Sequence, residues 1–454
     1  MLGGGLLNKH NSLKLQKFNT FNNRRNVILT IIILSILLLS GIYLYNSFAV
    51  FSEEKHFNVI NGSVGDPGDV YFAYYVDDEI TRNIPSQDSG YTLDIQSSIC
   101  TNGVTVGWNE DNWTALINYQ KYNAPDYTRT KCDLHFRKNI AGFITSLVSF
   151  DNASLKLDDY GNIRYIGANP NNYVSIDGEI WRIIGVMSDI TNKNGIKKKR
   201  VKLIRNGSIG NYSWDTSAST INTGNGINEW SQAKLMKLLN PGYESASVGG
   251  SLYWNNKSGK CYNGVNNATV SCNFTSTGMK TKLKNLIDSV IWNTGAPEKS
   301  DQLIGSFYDY ERGSRNGKIC SSGTSCNDKI KRTTTWTGKV GLMYPSDYIL
   351  ATSGGSTTDR EACLNITLAN WLDYSDCYKN SYLLRDVFQS TLTPASSTTN
   401  KNAHTVYCIY DTGRAGGCSS HISYEVHPVV YLLSEVIIMS GDGSSSSPYI
   451  LGIQ

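Results

Sequence analysis

All ten cysteines lie C-terminal to a single apolar run, Val27 to Tyr45, and these two features constrain the chain more than anything else in it. The run reads VILTIIILSILLLSGIYLY, nineteen residues without a charge. That is close to the ~20 a helix needs to cross the hydrocarbon core of a bilayer. Lys9, Lys14, Lys17, Arg24 and Arg25 precede it with no acidic residue, and Glu53 and Glu54 follow it. Positive charge resists translocation, so residues 1–26 are expected in the cytoplasm, 27–46 across the membrane as a single helix, and the rest outside. Exported cysteines meet an oxidising compartment, where disulfides persist. The alternative is a secreted product cut after Ser47-Phe48-Ala49, but the run exceeds the ~7–15 apolar residues of a usual signal peptide. A retained anchor is the reading adopted.

The formal charge of +4 belongs to the N-terminal stub, whose five basic residues leave the exported part at −1. A balance like that gives no electrostatic footprint for nucleic acid. With 28 Tyr, 9 Trp and 41 Gly but only 18% charged residues, the composition suits β-rich extracellular domains with frequent turns.

The first exported module spans residues 56–136. Val70–Val76 (VYFAYYV), Tyr91–Ile95 and Gly103–Trp108 are short β-type runs closed by polar turns, which predicts a small antiparallel β-sandwich. Lys138–Ser149 fits a helix or a buried strand equally well. It belongs to a connecting segment, 137–172, with turn clusters at Leu157–Asn162 and Gly167–Asn172. A larger module, 173–453, follows. Tyr173–Ile176, Asp177-Gly178 and Glu179–Val186 predict a hairpin with a type I′ turn. In its second strand Trp181 and Ile183 share one face, and a ring so placed is expected in the core. Lys197–Arg205 (KKKRVKLIR) predicts the next strand, with its charges read as a solvated strand end rather than an anion site. Asn228–Asn240, stopped by Pro241-Gly242, and Thr275–Trp292, with an apolar stripe from Met279 to Ile291, predict two helices. Together these give a loop-heavy α+β module.

Cys100 and Cys132 are the only cysteines of the first module, so they are expected to pair. The other eight fall as four neighbour pairs: Cys261 with Cys272, Cys320 with Cys326, Cys363 with Cys377, and Cys408 with Cys418. Each pair flanks a polar segment without core-forming residues. Neighbour pairing would staple those loops, each bridge contributing ~2–3 kcal/mol through the unfolded chain. Metal ligation is disfavoured, because no Cys-x₂-Cys spacing occurs and His404, His421 and His427 form no recognised pattern with the thiols. Neither metal nor cofactor is expected. No nucleophile elbow, zincin motif, P-loop or dinucleotide fingerprint is present. Asp373 and Asp376 read as loop residues. Glu425 and His427 alternate and read as an exposed strand face, without a nucleophile to serve. Asp442, between Gly441 and Gly443, reads as a tight turn rather than a calcium ligand.

Asp158–Tyr173 (DDYGNIRYIGANPNNY), Trp181–Val186 (WRIIGV), Gly341–Tyr348 (GLMYPSDY), Trp371, Thr391–Ser396 and Val426–Leu432 (VHPVVYL) with Gly441–Ser444 carry a resemblance. Their order over residues 155–453 resembles uncharacterised membrane-anchored surface proteins of gut-dwelling Gram-positive bacteria. The C-terminal module is similar to the C-type-lectin-like and formylglycine-generating-enzyme fold, which implies a C-type-lectin-like module with disulfide-stapled loops. Two departures matter. Glu425-Val426-His427-Pro428 stands where the family has Gly-Val-Arg-Pro, and the calcium-dependent sugar motifs of C-type lectins are missing. The reading is a single-pass protein with a cytoplasmic N-terminus that binds or adheres at the cell surface, with a glycan or protein as ligand. An extracellular enzyme of the formylglycine-generating type and a structural spacer are the alternatives. A broad exposed aromatic or loop face would mark adhesion, and a deep pocket of convergent polar groups an enzyme.

Overall fold

A computed structural model describes residues 69–125, 128–148, 152–217, 226–295, 303–313, 333–395 and 404–454. The apolar run at 27–46 lies outside the described residues. What is described belongs to one compact unit, Asn61–Gln454. It is mostly β, with few and short helices; the longest described, Ile140–Val148, has nine residues. Among the described residues no helix is long and apolar enough to cross a membrane.

The N-terminal sheet is built on Val70–Val76 and Thr130–Lys138, flanked by Glu79–Thr81 on one side and by Tyr91–Leu93 and Ile99–Cys100 on the other. Thr130, Cys132, Leu134 and Phe136 alternate inward and are all buried. A hairpin, Thr105–Asn109 with Thr114–Asn118, covers them; its Trp108 meets Phe136 edge-on with ring centroids 6.0 Å apart. The sheet is not wholly antiparallel as expected, because Val70–Val76 runs parallel to Thr130–Lys138 in continuous register. Parallel neighbours need a crossover of a dozen or more residues, and the long stretch between these two strands supplies it.

The larger sheet has nine strands. At its centre Lys197–Arg205 lies between Glu179–Thr191 and Val429–Tyr431, and Tyr449–Ile453 and Val436–Ser440 extend it beyond Tyr173–Ile176. The expected hairpin is present, with Ile176 opposite Glu179. Asp177 (φ 49°) and Gly178 (φ 78°) both take the left-handed region that a type I′ turn needs. Ile183, Ile184, Leu203 and Ile204 are each at most 1% exposed, so neighbours pointing to opposite faces are both covered. A third sheet of five strands includes Gln389–Pro394, Thr405–Ile409 and Ser423–Glu425.

Both expected helices are shorter than the sequence pattern suggested. Asn228–Asn240 contains a 3₁₀ turn, Trp230–Gln232, and the helix Lys234–Leu239. Within Thr275–Trp292 only Thr281–Leu286 is helical, and Val290–Asn293 is a strand paired with Thr335–Gly338. Met279, Leu283, Leu286, Ile287 and Val290 are buried all the same. Val290 and Ile291 are β-branched and suit a strand once a partner is on offer.

Four of the five expected disulfides are present: Cys100–Cys132, Cys261–Cys272, Cys363–Cys377 and Cys408–Cys418. Two of them staple hairpins, Ser258–Tyr262 with Thr269–Asn273 and Thr405–Ile409 with Ala415–Ser419. The fifth expected bridge differs from these four, because Cys320 and Cys326 both lie outside the described residues. Pairing of Cys320 with Cys326 therefore stays an expectation from their spacing alone. None of the described cysteines is free.

Candidate functional site

The helix Ile140–Val148 separates two concavities. It packs beside the N-terminal sheet through a backbone approach that only glycine permits. Gly90 has φ 80°, and a Cβ there would fall 2.8 Å from the Gly142 backbone. Phe143 and Leu147, four apart, line the smaller concavity, while Ala141, Gly142, Thr145 and Ser146 line the larger.

The smaller pocket encloses about 340 Å³. Its apolar part is Phe143, Leu147 and Ile438, with the Tyr449 ring edge-on to Phe143 at 6.4 Å. Tyr165, 2% exposed, also lines it, with its buried hydroxyl beside the Tyr449 phenol. Burial pushes both the Tyr165 and Tyr449 phenols up, so each keeps its proton at neutral pH. Asn152, Ser154, Asn171 and Asp442 belong to the polar part, as does Lys138, which is paired with Asp77 at 3.2 Å and lies over the Phe143 ring, 5.1 Å from its centroid. The Ser444 N–H holds the exposed Asp442 carboxyl below its ordinary range, so it is an anion that accepts. Asp442 does sit in a tight turn, between Gly441 (φ 90°) and Gly443 (φ 81°), and that turn forms part of the pocket.

The larger cleft encloses about 700 Å³. Glu110, Asp111 and Trp113 come from the turn of the hairpin that covers the N-terminal sheet, and Lys198 and Lys199 from the start of the Lys197–Arg205 strand. Trp113 has φ 53°, a conformation that costs a bulky side chain. Its indole N–H donates to Pro85 O at 3.0 Å. Burial pushes the Glu110 carboxyl up, and Lys198 opposes the shift.

The basic run is not simply a solvated strand end. Lys197, Lys198 and Lys199 are exposed, whereas Arg200, Lys202 and Arg205 are buried and paired with Asp288, Asp347 and Glu179. Asp347 anchors the largest of these networks. It accepts from Lys202 Nζ, from Arg164 Nη1 at 2.8 Å and from the Tyr344 N–H at 2.9 Å. Arg164 also donates to Asp158 at 2.9 Å. Thus Asp158 and Arg164 meet Tyr344 and Asp347, from a distant part of the sequence, in the core. Burial works against the Asp347 charge, but Lys202 and Arg164 outweigh it and hold the carboxyl below its ordinary range. Burial brings Lys202 down to about 8 despite Asp347.

Glu311, fully buried, accepts from the Ser346 N–H at 3.1 Å and from the Ser346 hydroxyl. Burial pushes its carboxyl up to about 7, against the pull of Arg312 and Ser346. A carboxyl raised on folding stabilises the fold fully below its unfolded pKa, near 4.3, and that contribution is lost as pH rises through about 7. Between pH ~5 and ~8 stability should therefore fall by about 2–3 kcal/mol on account of Glu311 alone. Glu311→Gln should flatten that part of the profile in urea titrations. Parallel profiles for variant and parent would refute the assignment.

Glu425 and His427 do meet, but not on an exposed face. The strand ends at Glu425, and His427 is 5% exposed, with Nε2 3.2 Å from Glu425 Oε2 and Nδ1 3.2 Å from Arg205 O. Burial and Arg385 lower its pKa, so it is a neutral imidazole bracing the strand ends. Asp376 accepts from the Thr357 and Thr358 N–H groups and closes a loop. Phe388, Tyr410 and Tyr424 form a half-exposed aromatic cluster, with Tyr410 edge-on to Phe388 at 4.7 Å and Tyr424 stacked at 5.7 Å. Sequence patterns did not expose the pocket, because its residues come from four separated segments. No protein-family model matches the chain, and no curated protein or solved structure matches it either.

Proposed function

We propose that this is a membrane-anchored binding protein of the cell surface, with residues 27–46 as the anchor, the N-terminus cytoplasmic and the larger module C-type-lectin-like. It holds a saccharide unit in the pocket beside Ile140–Val148. The observation that carries this reading is the pocket's chemistry. A pyranose has apolar faces and a polar rim. Phe143, Leu147 and Ile438 suit the faces, while hydroxyls, amides and one carboxylate suit the rim. The Tyr449 phenol keeps its proton to donate and Asp442 accepts, which favours holding hydroxyls over moving protons. The half-exposed Phe388 cluster adds an aromatic face of the kind adhesion uses.

A glycan array probed with the full-length chain in detergent tests this. Binding should survive chelation of calcium. Asp442→Ala and Asn171→Ala, both at exposed positions, should weaken it roughly tenfold or more without altering the far-UV spectrum. Binding that persists unchanged in both variants would place the ligand elsewhere, and an array without any bound glycan would remove the saccharide reading.

A further inference from the structure

Five charged side chains line the larger cleft without pairing. Asp88, Glu110 and Asp111 lie on the N-terminal sheet's side, and Lys198 and Lys199 on the larger sheet's side. None of these side chains makes a hydrogen bond or an ion pair among the described residues, although opposite signs line one concavity. That contrasts with the core, where Arg164, Arg200, Lys202 and Arg205 each have a carboxylate partner. Lys197, just beside the cleft, is itself paired with Asp189 at 3.1 Å. No carboxylate of the acidic wall comes within ion-pair distance of an ammonium of the basic one, and Lys198 acts on Glu110 only through space. Glu110 is meanwhile partly desolvated, so a cation brought to it would be stabilised more than in open water.

We infer that the larger cleft is a second binding site, distinct from the saccharide pocket, for a short extended peptide carrying charges of both signs. Its ammonium groups would lie toward Asp88, Glu110 and Asp111, and its carboxylates toward Lys198 and Lys199. The volume of about 700 Å³ lies within the range of ligand sites. Trp113 gives an apolar contact in the same wall, held there by its bond to Pro85 O. Opposite walls also fix the direction in which a peptide lies, because reversing it sets like charges against each other. The inference does not rest on saccharide binding, since the two concavities share no lining residue.

The test uses the full-length chain in detergent and four immobilised synthetic peptides of equal length: one mixing lysine and glutamate, one lysine-only, one glutamate-only and one of glycine and serine. The mixed peptide should bind best, and its binding should weaken as salt rises. Lys198→Glu with Lys199→Glu should reduce it roughly tenfold or more. Adding Asp88→Lys, Glu110→Lys and Asp111→Lys to that variant should restore it, because the two walls then exchange sign. All substituted lysines and Asp111 are exposed, so folding is not at stake in the first variant. Equal binding of the four peptides would overturn the inference. So would tighter binding of a single-sign peptide, or full binding by the charge-reversed variant. Glycan binding, measured on the same variants, should stay at the parental level, so failure here and failure of the saccharide reading are told apart.

Discussion

Asp347→Ala is expected to destabilise the protein by about 3–5 kcal/mol, the range for removing one partner from a buried ion pair. The carboxylate is 1% exposed and faces Lys202, which is wholly buried, and Arg164, also 1% exposed. Without it, Arg164 keeps Asp158, but Lys202 keeps no anion. Its ammonium stays beside the Tyr344 ring, 4.2 Å from the centroid, with Tyr431 at 5.5 Å. A ring face attracts a cation by only ~1–2 kcal/mol, too little to offset the desolvation of a lone ammonium. The variant also loses the acceptor for the Tyr344 N–H at the start of the helix Pro345–Leu350. Since native domains are stable by about 5–15 kcal/mol, such a loss should be plain in a denaturant midpoint. Pairing Asp347→Leu with Lys202→Met should recover most of it, as apolar replacement of a whole buried pair is often neutral. A single variant within about 1 kcal/mol of the parent would mean that Lys202 sheds its proton at little cost and that the network contributes specificity rather than stability.

Asp347 also marks where the sequence was legible and where it was not. Local chemistry was readable. Asp177-Gly178 implied a type I′ turn from two adjacent residues, and the cysteine spacing implied staples, three of which join residues only 10, 11 and 14 positions apart. Long-range pairing was not. Lys202 and Asp347 are 145 positions apart, so the basic strand looked like a solvated end when only its neighbours were considered. One signal was present: Arg200 and Lys202 alternate with Val201 and Leu203 in a strand that also had to lie inside a sheet. A strand buried on both faces must bring counter-ions to its cations. The Thr275–Trp292 stripe failed differently. Its apolar positions other than Ile291 are all buried, but burial does not distinguish a helix from a helix turn followed by a strand, and Thr335–Gly338 decided in favour of the strand. Of the pocket, Asn171 and Asp442 read from sequence only as turn residues, and Lys138, Phe143 and Leu147 only as part of a run that fitted helix or strand. Phe143, Tyr165 and Tyr449 become neighbours only once the Ile140–Val148 helix lies against the larger sheet.

Trp181→Ala is the other substitution expected to have a large effect, about 3–5 kcal/mol. Sequence alternation placed Trp181 on one face with Ile183, and both are fully buried. Its strand position sets it between Val174 and Arg205 on the neighbouring strands. The indole N–H donates to Glu179 Oε2 at 2.8 Å, and the same carboxylate receives Arg205 through Oε1, at 2.7 Å from Nη2 and 2.8 Å from Nε. The ring therefore fills the core and also helps fix the carboxylate that neutralises a buried guanidinium. Truncation to alanine removes the apolar burial and leaves a cavity that paired strands on both sides cannot close. Trp181→Phe separates the two contributions, since it keeps most of the apolar volume and loses only the hydrogen bond, which by itself contributes about 1–2 kcal/mol when the acceptor is charged. The phenylalanine variant should accordingly fall between the parent and the alanine variant in thermal midpoint. If both variants were equally destabilised, the hydrogen bond to Glu179 would contribute more than the filled volume. If neither were, Trp181 would not be the core anchor that its burial indicates.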